Sequence, residues 1–194
     1  MGSASVTIGL LLVNAIAGFY LFLVILRFLL QAVRADFYNP ISQFVVKATN
    51  PFLIPIRKVV PGLWGLDFAA IILGLIVELI AISLSLLISG YGLPIANIFV
   101  WGALGLIGLV LKLYFWGILI MVIASWIAPG NYNPALSLLQ QLIEPVMKPI
   151  RKMLPDMGGF DISPIIAFLL IQVFEVLLVT AARSTGAPGF IIGL

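Results

Sequence analysis

Four stretches of the chain, 6–30, 68–89, 98–128 and 162–182, are almost free of polar side chains. A helix needs about 20 apolar residues to cross the hydrocarbon core. The pattern therefore predicts four transmembrane helices, the third long enough to tilt or to start late. Between the first and second spans the pattern changes. Ile41, Phe44, Val45, Ala48 and Phe52 recur at helical spacing, with Ser42, Gln43 and Lys47 on the opposite face. Ala135, Leu138, Leu139, Leu142 and Val146 do the same between the third and fourth spans, opposite Ser137, Gln140 and Gln141. Two amphipathic helices are predicted, over 40–50 and 134–144. Each either lies in the membrane plane or packs on the bundle as a short re-entrant helix. Each should stop ahead of Pro51 or Pro145, because the residue before a proline is pushed out of helical geometry. Beyond them come two basic turns punctuated by proline, 51–61 and 145–155.

A shift of 94 residues lays the chain on itself. Tyr38, Asn39 and Pro40 fall on Tyr132, Asn133 and Pro134; Pro51 falls on Pro145. The run Pro55-Ile56-Arg57-Lys58 falls on Pro149-Ile150-Arg151-Lys152, Pro61 on Pro155, Gly65 on Gly159 and Asp67 on Asp161. Eleven of the thirty positions from Tyr38 to Asp67 are identical without a gap. A shared apolar bias explains matching leucines but not matching Pro, Arg, Asn and Asp. The chain thus reads as two tandem units, 1–94 and 95–194, each a span, a basic amphipathic segment and a span. Both units have the same orientation, unlike the inverted repeats of many transporters. The expected fold is all-α: four transmembrane helices as two parallel-repeat hairpins, each with an interfacial amphipathic helix.

Composition sharpens this. Of the 194 residues, 63% are hydrophobic and 9% charged, where a water-soluble domain carries roughly 25% charge. Cysteine and histidine are both absent. Disulfide, thiolate, haem-ligand and imidazole proton-relay chemistry go with them, and no cofactor or metal is indicated. No phosphate-cradling glycine motif is present. The basic segments are too apolar and prolyl for a nucleic-acid interface. An enzyme is therefore not expected.

The basic residues set orientation. Arg34, Lys47, Arg57 and Lys58 follow the first span; Lys148, Arg151 and Lys152 follow the third; residues 89–97 carry no charge. The excess of Lys and Arg places both basic segments in the cytoplasm and both termini on the opposite side, which is the periplasm if the membrane is a Gram-negative inner membrane. Arg57, Lys58, Arg151, Lys152, Lys47 and Lys148 are candidates for contact with anionic headgroups or a membrane partner, each worth about 1 kcal/mol near such lipid; setting topology is their simpler role. Asp67 and Asp161 stand where helix N-caps belong, one or two residues ahead of a span. Tyr38, Trp64, Tyr91, Trp101, Trp126 and Tyr132 fall near span ends, as an interfacial aromatic belt would.

Charges within spans cost about 2.5–3.5 kcal/mol on insertion scales, so each needs a reason. Arg27, Glu78, Lys112, Gln172 and Glu175 are the candidates for an intramembrane polar network. Glu78 and Lys112 are expected to pair, with Gln172 and Glu175 completing the set; the functional alternative is an ion path lined by Glu78 and Glu175. Small residues recur at Ala81, Ser85 and Ser89 and at Gly102, Gly105 and Gly108, a sign of close helix packing.

At the repeated motifs the sequence resembles the YggT family, which includes bacterial YlmG-like proteins and plastid relatives. The residues that carry the resemblance are Arg27, the two Asn-Pro…Pro…Pro-Ile-Arg-Lys…Pro patterns, the Gly-x-Asp sequences at Gly65–Asp67 and Gly159–Asp161, and the stretch from Phe160 to Ile166. The first copy lacks the Ser-Pro of the second, and Met121 stands at the position of Arg27. The resemblance implies a small plasma-membrane protein without established catalysis, linked to osmotic stress tolerance, potassium balance and envelope organisation. A scaffold or assembly factor is the function expected, acting with anionic lipid and a membrane partner or a second copy. A small ion or solute conductor is the alternative.

Overall fold

The computed structural model describes residues 3–62, 65–127, 133–155 and 161–194. Trp64, Tyr132, Gly159, Phe160 and the last residue of the predicted third span, Ala128, lie outside the described residues. Six helices follow in order: α1 (Ser3–Ala32), α2 (Pro40–Arg57), α3 (Phe68–Ile88), α4 (Ile95–Ile127), α5 (Pro134–Met153) and α6 (Ser163–Ser184). Four of them, α1, α3, α4 and α6, are long and apolar enough to cross a membrane. Their surfaces explain the composition. Leu11, Ile16, Phe19, Ile80, Val176 and Leu177 are among many large apolar side chains turned outward, where hydrocarbon is the solvent that suits them. At 33 residues, α4 is about 50 Å long against a hydrocarbon core of about 30 Å.

Each unit is a hairpin, α1 with α3 and α4 with α6. The units meet through α3 on α4, with α1 also touching α4. The shorter helices α2 and α5 pack on the two spans of their own unit. They form at the repeated Asn-Pro pairs for a local reason. The Asn39 carboxamide accepts from Ile41 N at 2.9 Å, and Asn133 from Ala135 N at 2.8 Å. The proline sits in the first turn, where its missing donor costs nothing.

Two expectations about these helices are corrected. They do not stop at Pro51 and Pro145: α2 runs to Arg57 through Pro51 and Pro55, and α5 to Met153 through Pro145 and Pro149. The supposed basic turns are therefore mostly helix. In each helix the two prolines are four residues apart on one face, and all four are exposed. The carbonyls they orphan thus fall on the outer side, where a helix can bend and its carbonyls can find other donors. The buried stripe also differs from the predicted one. In α2 it is Ser42, Val45, Thr49 and Leu53, while Phe44 and Phe52 are 56% and 60% exposed. The bundle, rather than the bilayer surface alone, chose the face. In α5 the stripe is Leu138, Leu142, Met147 and Ile150 with Ile143.

The starts of α2 and α5 tie the two units together. Asn39 Nδ2 donates to Pro134 O at 2.7 Å, and Asp36 N donates to Gln141 Oε1 at 2.8 Å. At the opposite end the segment after α6 turns back into the bundle. Gly186, at φ +76°, makes the turn. Ile191 is buried with Ile82, Leu86, Ile98 and Trp101. Trp101 is correspondingly 3% exposed and donates Nε1 to Thr185 Oγ1 at 2.9 Å, so it is a packing residue and not part of an interfacial belt. Tyr38, Tyr91 and Trp126 are exposed. Residues 192–194 continue along the glycine stripe of α4: a Cβ on Gly105 would come within 2.7 Å of Ile192 O, and one on Gly108 would collide with the Gly193 carbonyl.

Gly108→Ala should therefore destabilise the protein by about 1–3 kcal/mol, the usual cost of overpacking. Gly92, with open space around it, is the control. Thermal unfolding in detergent should show a lowered midpoint for Gly108→Ala and none for Gly92→Ala.

Candidate functional site

Polar chemistry is gathered at two levels, the end of the bundle that carries α2 and α5, and the interior between α3 and α4. At the first level α2 ends on Arg57, and a short connection returns to Asp67 at the start of α3. Arg57 donates through Nε and Nη2 to the two carboxylate oxygens of Asp67, and through Nη2 to Gln31 Oε1 of α1 at 3.3 Å. The Asp67 side chain is only 2% exposed. Arg27 is buried beside this pair, within electrostatic reach of both residues, with its guanidinium carbon 5.3 Å from the Phe37 ring centre. Its Nε and Nη1 have no hydrogen-bond partner among the described residues.

The second unit repeats the motif in the open. Arg151 Nε donates to Asp161 Oδ2 at 3.1 Å and Nη1 to Glu144 Oε2 at 2.9 Å; Arg151 and Asp161 are each nearly half exposed. Partial burial alone would raise the Asp161 carboxyl. The hydrogen bonds from Ser163 and Arg151 and the guanidinium charge outweigh that and hold it below the usual carboxylate range. The same acids raise Arg151 against its own desolvation.

The N-cap expectation is met in full by neither aspartate: the cap position of α6 is Ile162, one residue beyond Asp161. Asp161 accepts from Ser163 N at 2.9 Å and from its hydroxyl, whereas Asp67 occupies the cap position of α3 without making a cap hydrogen bond, its carboxylate being taken by Arg57. Arg57 and Arg151 each pair with the aspartate ten residues on, and Arg151 stays nearly half exposed while doing so. Lys47, Lys58, Lys148 and Lys152 do point outward; all four are exposed, and among the described residues none joins an ion pair.

In the interior the expected network does not assemble. Glu78 is fully buried, and neither carboxylate oxygen has a hydrogen-bond partner among the described residues. Its carboxyl lies over Gly105 of α4, where only a missing side chain leaves room. Lys112 is seven residues further along α4, about 10 Å by helical rise, too far to pair. The helix overhangs α3, so the middles of the two spans are not level. Lys112 Nζ instead lies 3.5 Å from Leu194 O in the returning segment. Gln172 faces outward on α6 and Glu175 is half-buried, so neither completes a set with Glu78. Three participants escaped the sequence reading: Gln31, Glu144 and the segment 185–194. The Arg–Asp pairs were findable, since the separation of ten residues is the same in both units.

Comparison with known proteins matches this arrangement to one family. The CCB3/YggT family profile matches twice in tandem, over residues 6–88 and 100–182. An uncharacterised protein of Pseudomonas aeruginosa is 43% identical over 185 residues, 94% of each chain. The uncharacterised protein YggT of Escherichia coli K12 is 37% identical over 175 residues, 90% of this chain and 91% of its own. A Haemophilus influenzae protein is 34% identical over 161 residues, 83% of this chain and 86% of its own. No solved structure matches.

The two pairs should respond differently to neutralisation. Asp67→Asn strands the buried Arg27 and the partly exposed Arg57 without the buried acid beside them and should cost about 3 kcal/mol; Asp161→Asn, in the open, should cost no more than about 1 kcal/mol. The folded Asp161 carboxyl is depressed, so its contribution is complete above the unfolded value of about 3.9 and is lost as pH falls through the lower folded value. The gap between the thermal midpoints of wild type and Asp161→Asn should be constant from pH 7 to about pH 4 and should narrow only as the pH falls below about 3.9. Equal losses for the two substitutions at pH 7 would contradict the assignment.

Proposed function

This chain belongs to the CCB3/YggT family, and we propose on that premise that it is a non-enzymatic organiser of the bacterial inner membrane, a scaffold or assembly factor acting under osmotic stress. One observation carries the reading: Arg57 and Arg151 are engaged by carboxylates of their own hairpins, while Lys47, Lys58, Lys148 and Lys152 stand exposed at the same end of the bundle. Four cations on or at the end of two docked helices, none in an ion pair among the described residues, form a surface for anionic headgroups and for acidic segments of a partner. The lysines face the cytoplasm in this reading, as the excess of basic residues at that end requires. Helix α2 offers Phe44 and Phe52 beside Lys47, an apolar footing next to the charge.

A second reading, conduction of an ion or small solute, has one observation in its favour: the buried Glu78 carboxyl has no partner. Against it, residues 192–194 cover the glycine face of α4 beside that carboxyl.

Replacing Lys47, Lys58, Lys148 and Lys152 with Gln should leave the protein folded. Yield of a specific crosslinked membrane partner in cells, and retention of anionic lipid, should both fall at least several-fold. The purified protein in potassium-loaded liposomes should show no flux above empty vesicles. Flux abolished by Glu78→Gln would replace this reading with the second.

A further inference from the structure

At the basic end of the second unit, α4, α5 and α6 enclose a cavity of about 570 Å³, within the roughly 300–1,000 Å³ typical of small-molecule sites. Its wall is apolar, with Met121, Met147 and Phe168 prominent. Its rim carries Ser125, Glu144, Arg151 and Asp161. Trp126 and Ile165 also line it and are 82% and 60% exposed, so it opens on the surface that faces lipid.

The internal repeat says what the corresponding space holds in the first unit. Stepping back 94 residues turns Met121 into Arg27, Ser125 into Gln31 and Glu144 into Asn50. There the place is taken by the chain's own cation: Arg27 is buried beside Asp67 and Arg57, and Gln31 is bonded to Arg57. In the second unit the cation is withdrawn, space remains, and a carboxylate is added. The local net charge passes from one positive (Arg27, Arg57, Asp67) to one negative (Arg151, Asp161, Glu144). The hydrogen-bond inventory agrees. Asp161 uses both oxygens, on Arg151 and Ser163. Glu144 uses only Oε2, on Arg151, and Oε1 accepts from nothing among the described residues.

We propose that this cavity binds a phospholipid with a primary-ammonium headgroup, of the phosphatidylethanolamine class. The ammonium donates to Glu144 Oε1 where the first unit would present a guanidinium. The phosphate lies against Arg151, so adjacent base and acid read the two charges of the headgroup. One acyl chain follows the wall formed by Met121, Met147 and Phe168. The exposed lysines take no part, so this site stands or falls separately from the function proposed above.

The test uses the full chain reconstituted in vesicles of equal parts phosphatidylethanolamine, phosphatidylcholine and phosphatidylglycerol, then released in mild detergent for native mass spectrometry. The ethanolamine lipid should be retained about tenfold over the choline lipid, which has no N–H to donate, and over the glycerol lipid; that ratio corresponds to one charge-assisted hydrogen bond. Glu144→Gln should erase the preference. Met121→Arg, which restores the first unit's cation, should abolish retention while the protein remains monodisperse and helical. Equal retention of the choline lipid, preference for the glycerol lipid, or wild-type retention by a folded Met121→Arg protein would each overturn the proposal. Should Met121→Arg not fold, the headgroup preference of wild type and its loss in Glu144→Gln decide the matter alone.

Discussion

An arginine that finds a carboxylate ten residues later closes each hairpin. This contact has to exist because hydrocarbon offers nothing in its place: a guanidinium brought to the shoulder of a span must find its acceptor within the protein or stay at the headgroups. By joining the end of α2 to the start of α3, and the end of α5 to the region just ahead of α6, it fixes the packing helix between its two spans. The Asn-Pro turn fixes the other end of that helix. With both ends held, the prolines inside α2 and α5 become tolerable. Their lost hydrogen bonds lie on the outer face, and the buried stripe of Val45, Thr49 and Leu53, or Leu142, Met147 and Ile150, is undisturbed.

Much of this architecture was legible in the sequence, and the reasons differ by feature. Span positions follow from hydropathy, since no other structure satisfies so long an apolar backbone in lipid. The duplication follows from polar identities that composition cannot supply. Helix rotation was not legible. Ile41, Phe44 and Val45 satisfy a helical period as well as Ser42, Val45 and Thr49 do, and packing on neighbouring spans decided between them, hiding Ser42 and leaving Phe44 outside. The proline rule failed because it describes a local preference that two anchored ends override. Depth was the hardest quantity. Glu78 and Lys112 each sit at the middle of a span, but α4 is twelve residues longer than α3, so the two middles do not meet.

The two units show what duplication leaves free. The backbone plan, the Asn-Pro turn and the Arg–Asp pair are held in common. Everything around the pair differs: the first unit seals it with Arg27 and Gln31, and the second leaves it partly open beside a cavity and adds Glu144. A buried ion pair with fixed partners serves shape, while an exposed one with a spare acceptor can serve recognition. One copy thus keeps the frame while the other is released to change.

The strand of chain after α6 has an implication for biogenesis. Residues 185–194 leave the ribosome after every span, yet they seat against α4 between elements made much earlier. They cannot dock until all four spans have left the translocon and come together. A newly made molecule therefore passes through a stage in which Gly105 and Gly108 are uncovered and Glu78 is reachable. In the finished bundle residues 192–194 cover that glycine stripe.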